Sequence, residues 1–310
     1  MENGSHMSYL TLDGFVELNK YRYLYFVITF VLYSFIICCN AVTVSIIYIH
    51  RSLHEPMYIF IACLCFNALW GTTAFYPKFL VDLLSEKQLI SYPACKLQSF
   101  LVYTFAVSEF TLLTAMAYDR YVSICKPLQY VTIVNMHTVG KLLLCSWSVP
   151  SVCNFIGVML SNSVSLCKLT LNRLYCDNYS VVKLGCTNTN ANTIFGLLVL
   201  ALMVGPAVMF VIFSYVQIVL VVIKSSPELR RKAIQTCLPH VLVFMIYTIN
   251  CTFEMVQTRL DSEVPHLYRM FLSIQGVVIP PLLNPIIYGL KLQELSTRLK
   301  KLICPHKEMH

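Results

Sequence analysis

Charge is what this chain has least of. Only 12% of its 310 residues are Asp, Glu, Lys or Arg, while 57% are hydrophobic. The mean hydropathy is +0.67. A soluble domain carries about 25% charged and about 45–50% apolar residues, so a soluble enzyme of this length is excluded. Disorder, a coiled coil and a nucleic-acid-binding surface are excluded too, since each needs more charge or more polarity. The first 22 residues hold no apolar run preceded by basic residues, so no cleavable signal peptide is expected. There is also no internal repeat, no low-complexity tract and no soluble domain. The solvent that remains for most of this chain is lipid.

A spanning helix needs about 20 apolar residues, and seven stretches meet that need: Tyr23–Ile49, Pro56–Leu84, Cys95–Ile124, Val139–Leu160, Asn192–Ile223, Ala233–Thr258 and Leu267–Leu290. A further segment, Lys291–Cys304, places Leu292, Leu295, Leu299 and Leu302 at helical spacing against Lys300 and Lys301. It is too short and too charged to span and suits a helix lying in the interface. The expected fold is all-α: a seven-transmembrane helix bundle with a short C-terminal interfacial helix. Residues 1–22 form an outer N-terminal segment, 23–290 the bundle, and 291–310 a cytosolic helix and tail.

Lys and Arg near the span ends orient the bundle. With the loop after the first helix in the cytosol, thirteen basic residues, among them Arg51, Arg120, Lys126, Lys224, Arg230, Arg231 and Lys232, face five acids there. The outer side holds ten basic and nine acidic residues, and Glu109 lies within the membrane. Almost all of the net +8 is therefore cytosolic, and the N-terminus is expected outside. Sequons at Asn3 and Asn178 lie on that outer side, where glycosylation occurs. Gly4-Ser5-His6-Met7 reads either as a native start or as a cloning scar. A third sequon, Asn250-Cys251-Thr252, falls inside the sixth span, out of reach of glycosylation. Of fourteen cysteines, only Cys95, Cys167, Cys176 and Cys186 fall on the oxidising side, and four cysteines allow three pairings.

A bundle of this kind serves as a receptor, a transporter or a membrane enzyme. Ionisable groups are expensive inside a bilayer, so their placement discriminates. Asp119-Arg120-Tyr121 sits at the cytosolic end of the third span. One reading is an interfacial ion pair with a snorkelling Arg. The other is a switch in which the acid restrains the Arg until a partner engages. Leu53-His54-Glu55-Pro56-Met57-Tyr58 opens the second span, and Met116-Ala117-Tyr118 precedes the Asp-Arg-Tyr. Ser214-Tyr215 lies in the fifth span and Lys232-Ala233-Ile234-Gln235-Thr236-Cys237-Leu238-Pro239-His240 opens the sixth. Pro281-Leu282-Leu283-Asn284-Pro285-Ile286-Ile287-Tyr288 ends the seventh. In this order and spacing, from about Asn40 to Lys291, the set resembles the rhodopsin-like G-protein-coupled receptors and, within them, the odorant receptors. Phe75-Tyr76-Pro77-Lys78 and the three loop cysteines look closer to a fish-like branch of that family.

The resemblance implies disulfides Cys95–Cys176 and Cys167–Cys186. It implies a cytosolic switch of Asp119, Arg120, Tyr121, Tyr215, His240, Asn284, Pro285 and Tyr288, with Asn40 and Trp147 at reference positions of the first and fourth spans. The chain departs from the family at two places. The usual acid of the second span is replaced by Ala68, beside Asn67, while Glu109 supplies an acid in the third. A sodium ion at Glu109, Asn67 and Asn284 is one reading, and a protonated Glu109 hydrogen-bonded to its neighbours is the other. The usual Phe-Tyr-Gly of the sixth span reads Tyr247-Thr248-Ile249, which displaces the aromatic by one position.

By family geometry the ligand pocket opens in the outer half of the bundle, with candidate wall residues Val102, Tyr103, Ala106, Val107, Val199, Met203, Cys251, Met255, Met270, Ile274 and Val277. They are mostly apolar, as a buried small ligand requires. Arg259 shares a helix face with Met255 and Cys251. It is either a solvated residue paired with Asp261 or Glu263, or an anchor for an anionic ligand. The function implied is a non-enzymatic odorant receptor of the plasma membrane with no cofactor. Its partners are a small odorant, the lipid bilayer and a heterotrimeric G protein of the olfactory stimulatory type, with no nucleic acid. A metabolite receptor outside olfaction is the alternative. A transporter is more distant, because it calls for inverted repeats and paired broken helices, and here only the seventh span is broken.

Overall fold

The computed structural model describes residues 9–259 and 266–291, and their side chains apart from 16, 17, 19, 254–259, 266–273 and 290–291. Nine α-helices lie within the described residues: α1 (Arg22–Ile49), α2 (Pro56–Leu84), α3 (Tyr92–Cys125), α4 (Tyr130–Ile133), α5 (Met136–Ser161), α6 (Asn178–Val182), α7 (Asn190–Ile223), α8 (Pro227–Arg259) and α9 (His266–Lys291). Six of the long helices are apolar and long enough to cross a membrane, and α9 contains a shorter apolar run, Ile274–Gly289. The interfacial segment Lys291–Cys304 lies outside the described residues, save that Lys291 ends α9.

Some helices begin at a start signal that apolar run length alone does not give. Pro56 enters α2 in its first turn, where its missing N–H costs nothing. Asn135 caps α5 by accepting from the Thr138 N–H at 3.0 Å. Asp177 caps α6 from the Ser180 N–H at 2.8 Å. α3 is the hub of the bundle, packing against α2, α5, α7 and α8, while α9 closes onto α8, α2 and α1. Close approach of α2 and α3 depends on Gly71, where an added Cβ would stand 2.3 Å from the Phe105 ring. Asn40 ties α1 to α9 by donating to the Pro281 carbonyl at 2.8 Å. That bond uses a main-chain acceptor in the proline-rich stretch of α9.

The outer face carries something the all-α expectation did not contain. Strands β1 (Tyr9–Leu12), β2 (Leu89–Ser91) and β3 (Thr170–Leu171) form a sheet in the order β2-β1-β3. β1 runs antiparallel to β2, with Leu10 opposite Ile90, and parallel to β3, with Leu12 opposite Leu171. Leu10 and Leu12, two apart and hence on one face, are buried. They join Phe15, Phe75, Phe79, Cys95 and Cys176 in an outer apolar core. A second core lies below it, built on Phe60, Leu64, Leu113, Met116, Tyr247 and Tyr288. Strands this short carry no readable alternation.

Candidate functional site

The half of the bundle that carries the sheet encloses a cavity of about 250 Å³. Seven of the expected wall residues line it: Val102, Tyr103, Ala106, Val107, Val199, Cys251 and Val277. Met203 does not, and its neighbour Val204 takes the wall position. Ile274 packs instead on the outer core. The side chains of Met255, Arg259 and Met270 lie outside those described.

Two further sets of lining residues lie outside the expected wall. α5 supplies Cys153, Asn154 and Gly157, and the loop before α7 supplies Tyr175, Asp177, Asn178, Tyr179 and Val182 as a roof. The roof is anchored from several sides. Cys176 is joined to Cys95 of α3, and Cys167 to Cys186 within the loop. The Cys176 N–H donates to Gln98 Oε1 at 3.0 Å. Arg173 lies 3.5 Å from Asp177 Oδ2 and donates to Ser180 Oγ at 3.2 Å. Gly14 presses on the same loop so closely that a Cβ there would come within 2.5 Å of the Arg173 carbonyl carbon. Asn178 turns inward, its amide oxygen accepting from Ser161 Oγ at 2.6 Å. That sequon therefore presents its amide to the bundle, while Asn3 lies outside the described residues.

Beneath the cavity lies a cluster of buried polar groups centred on α3. Tyr247 donates to the Ala106 carbonyl at 2.7 Å, joining α8 to the cavity floor. Glu109, fully buried, accepts from Asn67 Nδ2 at 2.8 Å and from Asn284 Nδ2 at 2.7 Å. Trp147 in turn donates to Asn67 Oδ1 at 3.3 Å. Sodium takes oxygen ligands, and here the amides turn nitrogens toward both carboxylate oxygens. Asn284 Oδ1 is a buried acceptor without a partner. The residues thus fit a hydrogen-bonded triad, and an ion would require both amides to turn their oxygens inward. Among the described residues no group of three or more His, Cys, Asp or Glu is placed to hold a metal.

At the C-terminal end of α3, Arg120 Nη2 lies 2.7 Å from Asp119 Oδ2 and Nε lies 3.1 Å away. Tyr130 donates to the other oxygen, Asp119 Oδ1, at 2.8 Å. Burial, and then that carboxylate, push the Tyr130 phenol well above its ordinary range, so it remains a donor at neutral pH. Tyr215 Oη and His240 Nδ1 are 2.8 Å apart, and His240 Nε2 reaches the Leu113 carbonyl at 2.8 Å. Tyr288 Oη and Ser214 Oγ are buried without partners. The Tyr121 and Phe213 rings meet at a tilt of 46° with centroids 6.0 Å apart, and Lys224, Arg230, Arg231 and Lys232 are exposed around this face.

The comparisons with known proteins agree with this arrangement. The family model described as "Olfactory receptor" matches residues 29–306. Olfactory receptor 10J4 of Homo sapiens is 36% identical over 293 residues, covering 93% of this chain and 93% of its own. Olfactory receptor 6K3, also of Homo sapiens, is 32% identical over 314 residues, covering 100% of this chain and 94% of its own. Among solved structures, the crystal structure of squid rhodopsin superposes with a TM-score of 0.75 at 14% identity, covering 92% of this chain and 86% of that one, a likeness of fold. The chain belongs to the olfactory receptor family of G-protein-coupled receptors: odorant-sensing, multi-pass proteins of the plasma membrane, and not enzymes.

Proposed function

We propose that the odorant occupies the outer cavity and that its binding favours a conformer in which Arg120 leaves Asp119. The cytosolic ends of α8 and α9 then move apart from α3 and admit a stimulatory heterotrimeric G protein. The observation that carries this reading is that one helix holds both ends. Val102 to Val107 of α3 form the cavity wall, and the Asp119–Arg120 pair closes the same helix roughly 20 Å further on. Ligand contacts that rotate or shift α3 reach the pair without an intervening joint. Tyr215, His240, Asn284, Pro285 and Tyr288 surround that path, and the unpaired Tyr288 hydroxyl is a group that a moved α9 can satisfy. The exposed Lys224, Arg230, Arg231 and Lys232 supply positive charge to the docking face, consistent with an outer N-terminus.

Among the described wall residues there is no Lys or Arg, and the one charged group, Asp177, is paired with Arg173. The odorant is accordingly read as neutral. Arg259 is the residue on which an anionic cue would rest, and Arg259→Ala is expected to leave responses to organic acids unchanged. The site itself is tested in cells expressing the full chain, with cyclic AMP as readout. Ala106→Trp, which fills the cavity, should abolish responses at normal surface abundance. Arg120→Ala should abolish signalling while odorant binding persists. Responses that survive both changes refute the reading.

A further inference from the structure

Two amide groups on the cavity wall are left without partners. Asn192 Nδ2 and Asn250 Nδ2 are buried and make no hydrogen bond, and both residues line the cavity. Several other polar groups of the wall are engaged. Tyr247 donates to Ala106, Asn178 accepts from Ser161, Thr193 donates to the Thr189 carbonyl, and Asp177 holds the Ser180 N–H. Tyr103, Tyr175 and Tyr179 also have partners.

The two amides stand at different depths. Asn192 is in the first turn of α7 beneath the roof. Asn250 lies nine residues before the end of α8, about 13 Å of helix. A buried N–H without an acceptor is costly, and a ligand oxygen that accepts from it recovers the loss. Each alternative ligand class leaves a conflict. A hydrocarbon leaves both donors unpaired. A carboxylate ligand would enter an apolar wall whose one described charged group is Asp177. An ammonium ligand would bring only donors to donors, and Asp177 is already paired with Arg173. As for size, an apolar cavity of about 150 Å³ holds the six carbons of benzene, so the cavity here, about 250 Å³, holds about ten non-hydrogen atoms.

We propose that the cavity selects a neutral, oxygen-bearing ligand of about that size, such as an ester, ketone or lactone. Its acceptor oxygens are held by the side-chain N–H groups of Asn192 and Asn250. The inference rests on the outer cavity being the odorant site, and the experiment separates the two. The full chain is expressed in cells and challenged with hexyl acetate, methyl hexyl ketone, nonane, octanoic acid and octylamine, with cyclic AMP and surface labelling read together. The ester and the ketone are expected to act at concentrations about tenfold lower than the other three. Asn250→Leu and Asn192→Leu should each raise the half-maximal concentration of one or both oxygenated probes by about tenfold. Asn250→Gln, which keeps the donor, should restore part of the response and serves as the control for folding.

If both Leu variants respond like the parent while Ala106→Trp silences the receptor, the amide assignment is wrong and the cavity stands. If Ala106→Trp reaches the surface and still responds, the cavity reading itself fails. A preference for the acid, the amine or the hydrocarbon overturns the proposal, as does silence to both oxygenated probes from a receptor present at the surface.

Discussion

The two ends of the bundle are closed by different kinds of bond. Two disulfides, a three-stranded sheet and an apolar core hold the outer end. Among the described residues the opposite end has one ion pair, between the adjacent Asp119 and Arg120, single hydrogen bonds such as Tyr215 to His240, and a small apolar cluster of Ile218, Val222 and Cys237. A receptor needs this asymmetry. A ligand site gains affinity from walls ordered before the ligand arrives. A coupling site must exchange one set of contacts for another at a cost of a few kcal/mol, which covalent bonds do not allow.

Four substitutions probe that contrast. The largest effect is expected from Cys95→Ser, which cuts the tie between α3 and the roof across a sequence separation of 81. Losing a native disulfide costs about 2–5 kcal/mol, and surface labelling should fall to a small fraction of the parent. Cys167→Ser opens a separation of only 19 and should cost less, because stabilisation grows with loop length. If the two variants are equally damaged, the roof is not hung chiefly from α3.

Asp119→Asn comes next. It keeps the shape of the side chain and an acceptor for Tyr130 but removes the charge that restrains Arg120. Cyclic AMP without odorant should rise several-fold while surface abundance holds. An unchanged basal level would mean that the pair is only structural. The smallest effect is expected from Asn40→Ala, which leaves the Pro281 carbonyl without its side-chain donor. A loss of about 1–3 kcal/mol, read as a modest fall in thermal midpoint of the purified receptor, would show that the α1–α9 contact is passive.

Much of this was legible in sequence because lipid imposes a coarse grammar. Apolar runs long enough to span cannot hide, and the helix bounds fall within a few residues of them at most ends. The rarity of charge likewise drew attention to Glu109, Asp119 and Arg120, all of which carry side-chain contacts in the structure. The sheet, and the side chains that the roof turns to the cavity, stayed hidden for a physical reason. Strands of two to four residues have no measurable period, and their register is set by partners far away in the chain. Asn250 illustrates a different difficulty. As Asn250-Cys251-Thr252 it reads only as a sequon in an unreachable place, and its polarity gains meaning once Tyr247 and Val277 are seen around the same cavity.

The strand order β2-β1-β3 also constrains how the molecule is made. Its central strand, Tyr9–Leu12, is synthesised first, yet its parallel neighbour, Thr170–Leu171, is about 160 residues behind it. At roughly 5–20 residues per second, β1 waits about 8–30 s with that edge open, during which four spanning helices enter the membrane. The outer lid is therefore begun first and completed late, and an exposed strand edge in that interval is open to pairing with another chain.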